Sequence, residues 1–74
     1  MFTNEFEFDE TITTVMDDSG KLEDVIVHID ENEVYIRQWN ETSQNHDIIV
    51  LSQKMFQEFL RSLNTSEGLY KLED

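Results

Sequence analysis

The sequence has no cysteine and no proline, and only two of its 74 residues are glycine. The absence of cysteine excludes disulfide bonds, thiolate metal sites and cysteine nucleophiles. The longest apolar run covers residues 48–51, which is too short to cross a membrane. A domain of this size usually needs a disulfide, a metal or an association for support. The sequence therefore points to self-association or to a partner.

The N-terminus and the motifs of the chain give no sign of secretion or catalysis. Residues 1–5 lack the basic and apolar segments of a signal peptide, so we expect a cytoplasmic protein that does not bind membranes. No nucleophile elbow, P-loop or dinucleotide-binding glycine motif is present. His28 and His46 are the only imidazoles, and neither has a second ligand or base at a recognisable spacing. We predict no enzymatic activity, no catalytic residue, no metal site and no cofactor.

Turn-forming residues divide the first 51 residues into short segments. They cluster at Asp17–Gly20, Asp30–Glu33 and Glu41–Asn45, and the segments between them are rich in β-branched and aromatic residues. Short connections favour antiparallel neighbours. We predict one α+β domain over residues 1–74, with an antiparallel four-stranded β-meander followed by one C-terminal amphipathic helix. The predicted strands cover about residues 6–16, 23–29, 33–39 and 47–51.

The helix is predicted over about residues 53–63. Ser52 is a candidate N-cap, and apolar side chains recur at helical spacing to form one stripe. Further along, Leu69–Leu72 is a candidate for an additional edge strand. The stripe consists of Met55, Phe56, Phe59, Leu60 and Leu63.

The apolar pattern of the predicted strands exceeds what one helix can cover. The strand over 6–16 would carry Phe6, Phe8, Ile12 and Met16 on one face, whereas the three later strands are apolar on both faces. One helix covers one face, and a large exposed apolar patch is rare on a stable monomer. The pattern favours a homodimer, or another obligate contact with a partner, over a monomer whose own termini cover the second face.

Negative charge is concentrated in the N-terminal half. Residues 1–33 hold eleven acidic side chains and one lysine, and the whole chain carries a net charge of −12. A net charge of about 2–8 suffices for the solubility of a small domain. Both a specific surface and a generic solvated face explain the excess, but the asymmetry favours a specific surface. The candidate residues are Glu5, Glu7, Asp9, Glu10, Asp17, Asp18, Glu23 and Asp24.

Tyr35, Arg37 and Trp39 alternate along one predicted strand. On a basic protein they would suggest a stacking platform for single-stranded nucleic acid, and the run from residue 36 to residue 63 resembles in topology the C-terminal part of PC4-type transcriptional coactivators. Acids stand where that family has basic residues, and an acidic chain repels phosphate. We therefore predict no direct binding of nucleic acid, and we interpret Tyr35 and Trp39 as anchors of a protein interface.

Three segments, Met1–Thr11, Val34–Glu41 and Lys54–Phe56, resemble a group of small acidic uncharacterised proteins of tailed phages of marine cyanobacteria. The resemblance covers nearly the whole chain and transfers no catalytic residue. It implies a small phage protein that binds and redirects a host protein in the cytoplasm of the infected cell.

Together, these observations predict a non-enzymatic interaction protein of phage type. Its acidic N-terminal half would bind a basic surface of a host protein, as a nucleic-acid mimic or as a regulator. A host protein that binds nucleic acid is one such partner. The alternative is a structural homodimer whose acidic surface serves only solubility.

Overall fold

The computed structural model describes residues 1–64, which form five strands and one helix. Neighbouring strands are antiparallel and follow the order of the chain across the sheet. The predicted meander with a C-terminal helix is confirmed, with five strands rather than four. The candidate edge strand at 69–72 lies outside the described residues. The elements are β1 (Phe2–Phe6), β2 (Glu10–Val15), β3 (Val25–Asp30), β4 (Glu33–Asn40), β5 (Asn45–Ser52) and α1 (Gln53–Ser62).

The prediction of one continuous strand over residues 6–16 is wrong, because this segment turns at residues 7–9 and contributes to both β1 and β2. The two strands form a hairpin in which Phe6 lies opposite Thr11. Phenylalanines and acids alternate through the turn, and no glycine, proline or asparagine marks it. The alternation of apolar and polar residues therefore continues through the turn, and the sequence pattern could not predict where the first strand ends.

The same turn overturns the predicted face of this segment. Phe8, predicted to share one strand face with Phe6 and Ile12, lies fully exposed in the turn. Phe6 shares a side with Thr11, so Ile12 points to the other side of the sheet. Phe2 lies in the edge strand β1, opposite Val15, and is 65% exposed.

The pairing register gives the sheet two distinct faces. Directly opposite residues on antiparallel strands point to the same side, so each face can be followed from strand to strand. We call the side with Ile36 and Ile49, which line the groove under α1, the helix face. The opposite side, with Arg37 and Ile48, is the distal face. The later strands carry apolar residues on both faces, as predicted.

The helix begins at the predicted cap. Ser52 Oγ accepts a hydrogen bond from Met55 N at 3.0 Å, which satisfies one of the free N–H groups of the first turn. The side-chain amide of Gln53 donates to the Asp30 carbonyl and fixes the start of α1 to the β3–β4 turn. The helix contacts β4 and β5 and ends at Ser62, one residue before the predicted end.

The core is small. Within residues 1–64, Val34, the second residue of β4, is the one fully buried hydrophobic side chain, at 1% exposure. Its partners across the sheet are Ile29 and Leu51, both on the helix face and both half-buried. Most of the remaining apolar side chains keep substantial contact with solvent, so the stability of the isolated chain rests on few buried groups.

Side-chain oxygens close the turns of the meander. The Asp17 carboxylate accepts hydrogen bonds from Ser19 N and Oγ, from Lys21 N and from Leu22 N, at 2.7–3.1 Å. Gly20, at φ +72°, supplies the left-handed conformation in this loop. These hydrogen bonds, that of the Ser19 hydroxyl first, lower the pKa of Asp17 below its ordinary value of 3.8.

Asp30 and Asn40 close the next two turns by the same device. Asp30 Oδ1 accepts from the backbone N–H groups of residues 32 and 33, both at 2.8 Å. Asn40 Oδ1 accepts from those of residues 42 and 43, at 3.0 and 3.2 Å. In this chain without proline, short side chains that accept backbone hydrogen bonds take the place of stronger turn residues.

Replacing Val34 with Ala is expected to destabilise the fold by about 2–3 kcal/mol, because two methyl groups leave a fully buried site and a cavity remains. In a domain of this size this corresponds to a fall in melting temperature of about 10–15 °C. Thermal unfolding followed by circular dichroism measures it. Val15→Ala, at a 44% exposed site, is the matched control and should cost clearly less; equal losses would contradict a core centred on Val34.

Replacing Asp17 with Ala is expected to destabilise the protein at pH 6, and the loss should disappear in acid. The pKa of Asp17 is lowered in the folded state, so its stabilisation is present above 3.8 and is lost as the pH falls through the folded value. Melting temperatures of both proteins from pH 6 to pH 2 measure the difference. Asp24→Ala removes the same charge without a turn hydrogen bond among the described residues, and should show no such convergence.

Candidate functional site

Four carboxylates lie side by side across one end of the distal face. Glu10 of β2 is opposite Asp30 of β3, and Asp30 faces Glu33 across the β3–β4 turn, in continuation of the register of those strands. The backbone N–H of Glu7 donates to the carbonyl of Glu10 at 2.9 Å, which extends the first hairpin by one pair. Adjacent strands are about 4.8 Å apart. We call Glu7, Glu10, Asp30 and Glu33 the carboxylate row.

The charges of the strands are sorted by face. Glu5 lies opposite Ile12 and therefore also on the distal face, one step inward from the carboxylate row. Among the strand residues, Asp47 is the acidic side chain that falls on the helix face, opposite Gln38. The N–H groups of residues 33 and 32, in that order, lower the pKa of Asp30. Asp30 is therefore held in its charged form, and the strand residues of the helix face are nearly free of charge.

A cluster of two histidines and one arginine lies inward from the row on the same face. Arg37 Nε donates to His28 Nε2 at 3.1 Å, and Arg37 Nη1 lies 3.3 Å from His46 Nε2. His28 stacks on Tyr35 with ring centroids 4.7 Å apart, while His46 meets Trp39 edge to face at 5.2 Å. We call His28, Arg37 and His46 the histidine–arginine cluster. It holds both predicted anchor residues in place.

The contacts of His28 fix its tautomer. A guanidinium group only donates hydrogen bonds, so His28 Nε2 accepts and the ring proton of the neutral form is on Nδ1. Nδ1 is buried and has no hydrogen-bond partner among residues 1–64, but Glu10 Oε1 lies 3.5 Å away. Glu10 therefore links the carboxylate row to the cluster by electrostatic attraction to this N–H.

The remaining predicted acids lie at the opposite end of the sheet. Asp17, Asp18, Glu23 and Asp24 belong to the connection between β2 and β3, and the length of β2 separates them from the row by about 17 Å. Asp17 is occupied by the loop hydrogen bonds described above. Asp18 lies 3.4 Å from the N-terminal ammonium group, and both groups are exposed. This end of the sheet is negatively charged, but the Asp17 carboxylate is engaged in hydrogen bonds that stabilise the loop.

The structure thus divides the predicted binding residues into two groups. Glu5, Glu7, Glu10, Tyr35 and Trp39 share the distal face, and Asp9 lies in the turn beside them. Glu5, Glu7 and Asp9 alternate in the sequence but do not form a row along one strand, because the chain turns at residues 7–9. Sequence reasoning missed Asp30, Glu33, His28, Arg37 and His46 as parts of the site. Side chains alternate between the two faces along β3 and β4, and the tight turn between these strands fixes which residues lie opposite each other. Following this alternation could have placed four of these five residues on the distal face.

Residues 1–64 contain no group of three or more histidine, cysteine or acidic side chains placed to hold a metal ion. The carboxylate row, with its members aligned across strands, does not converge on one point. In the same part of the chain no helix is long and apolar enough to span a membrane.

Comparison with known proteins gives a family but no activity. No curated protein and no solved structure matches the chain. A family model described as a domain of unknown function (DUF8831) matches residues 3–62, which include all five strands almost entirely and the whole of α1. The chain therefore belongs to the DUF8831 family.

Proposed function

We propose that this protein is a non-enzymatic interaction protein that binds a basic surface of another protein through the distal face of its sheet. The observation that carries the proposal is the carboxylate row, in which four acidic side chains from three successive strands and one turn stand next to one another. Like charges in directly opposed positions destabilise a sheet. A need for solubility alone would be met by spreading these charges, so their alignment favours recognition.

The aromatic residues give this surface its anchors. Tyr35 and Trp39 lie on the distal face beyond the row, and the histidine–arginine cluster restrains both rings. Rigid, partly exposed aromatic side chains lose little entropy on binding and dominate many interfaces. The row would steer a basic partner and fix its orientation, while Tyr35 and Trp39 would supply contact area.

The other acids extend the negative field around the sheet. Glu5 and Asp9 flank the row, and Asp17, Asp18, Glu23 and Asp24 add charge at the far end, where they contribute to long-range steering rather than to the same contact. The partner would be a protein whose basic surface meets nucleic acid. With the phage resemblance, this makes the protein a candidate nucleic-acid mimic or regulator that acts on a host protein in an infected cell.

Affinity capture from a lysate of a marine cyanobacterium tests the proposal. The wild-type protein should retain a basic protein at low salt and release it at high salt. Glu7→Gln/Glu33→Gln should lose this partner, whereas Glu23→Gln/Asp24→Asn, with the same change in net charge, should keep it. An equal loss of the partner in both variants would mean that only net charge matters. Capture of no basic protein by the wild type would overturn the proposal.

The captured partner then tests the mimic directly. If the carboxylate row occupies the surface that meets nucleic acid, double-stranded DNA added in excess should displace the partner from the wild-type protein. A partner that binds the protein and DNA at the same time would identify a regulator with a separate site.

Repulsion within the row should also appear in the stability. Added salt screens exposed charges, so we expect the melting temperature of the wild-type protein to rise with sodium chloride. The rise should be smaller in Glu7→Gln/Glu33→Gln, which should melt higher than the wild type at low salt. The control Glu23→Gln/Asp24→Asn has the same net charge but an intact carboxylate row. If the melting temperatures of both variants respond equally to salt, the repulsion does not come from the row.

A further inference from the structure

We infer that β5 is a self-pairing edge, through which two copies of the chain join antiparallel into one continuous ten-stranded sheet. The inference does not rest on the proposed function, since it concerns the other end of the sheet order and a different chemistry. It names a second copy of this chain as the occupant of the surface formed by β5 and α1.

The first observation is the character of the edge itself. β5 is the last strand of the sheet, and no other strand within residues 1–64 pairs with its outer side. It has eight residues, and Ile48, Ile49 and Val50 at its centre are 58–59% exposed. Proteins usually protect such edges with lysine, proline, a bulge or a very short strand. β5 has none of these devices, and Asp47 is its only acidic residue.

The second observation is the charge of this region. Residues 45–63 hold two acids and two bases, whereas the chain as a whole carries −12. Two copies repel each other wherever their acidic surfaces meet, so the surface of β5 and α1 is the part of the described chain where a second copy can approach without that repulsion. At the other edge, β1 contains Glu5 and ends beside Glu7. Pairing there would bring acids together.

The third observation is an apolar groove beside this edge. It lies between α1 and the helix face, has a volume of about 700 Å³, and its lining includes Ile49, Leu51, Met55 and Phe59. Met55, Phe59 and further apolar side chains of α1 are about half exposed. Lys54 and Glu58 also line the groove and present opposite charges that a twofold-related copy can pair with.

Strand geometry sets how the two copies meet. Antiparallel pairing of identical strands follows a twofold axis perpendicular to the sheet, which leaves each face on its own side. Both copies of α1 therefore lie over the same face, on either side of the joined β5 strands. Their exposed apolar side chains can fill the two grooves while the edges supply backbone hydrogen bonds.

Analytical ultracentrifugation of the full chain over a range of concentrations, with circular dichroism as a check on folding, tests the inference. The wild type should be a dimer that Ile48→Asp weakens by at least about a hundredfold, because the interface then receives two additional carboxylates, one from each copy. Phe6→Asp introduces the same charge at a 79% exposed site in β1 and should leave the dimer intact. A monomer at all concentrations, or a dimer broken by Phe6→Asp and not by Ile48→Asp, would overturn the inference.

Hydrogen exchange gives a test that does not depend on any variant. As the wild-type concentration rises, the amides on the outer side of β5 should gain protection, and those of β1 should not. Equal behaviour of the two edges would count against pairing through β5. Open-ended oligomers, which require β5 of one copy to meet β1 of the next, would also contradict it.

Discussion

The register of the five antiparallel strands is the constraint on which the arrangement of charge depends. Side chains alternate between faces along each strand, and opposite residues share a face. A shift of β3 against β4 by one residue would move Tyr35 and Arg37 away from His28 and scatter the carboxylate row over both sides. The asymmetry between the charged distal face and the apolar helix face is therefore a property of pairing and not of any single residue.

Two surfaces with different chemistry follow from that register. The distal face combines aligned carboxylates with restrained aromatic rings, while the edge formed by β5 and α1 is apolar and balanced in charge. They share β5, which carries His46 of the cluster on the distal face. Pairing along the outer edge of β5 uses backbone groups, so it leaves the distal face open. A twofold assembly through β5 would place the two carboxylate rows on one side of a single sheet. The dimer would then offer two copies of the acidic surface on the same face.

The sequence predicted the class of fold and most of its elements, because the β-branched segments, the Ser52 cap and the apolar stripe of α1 are local signals. It failed at residues 7–9, where Glu7, Phe8 and Asp9 continue an alternating pattern through a turn. The site could be predicted only in part for the same reason. Tyr35 and Trp39 were placed together because they share a strand, whereas the meeting of Glu10 with Asp30 and of Arg37 with both histidines depends on pairing between strands.

Some of the acidic side chains of this protein serve to close its turns. Asp17, Asp30 and Asn40 close three connections in the same way, and the third does so without any charge. At these positions the fold selects an oxygen on a short side chain, which glutamate would hold one methylene too far from the backbone. Part of the negative charge of this protein is therefore a by-product of how its corners are made. Asp30 serves two purposes, because its carboxylate closes a turn and also belongs to the carboxylate row.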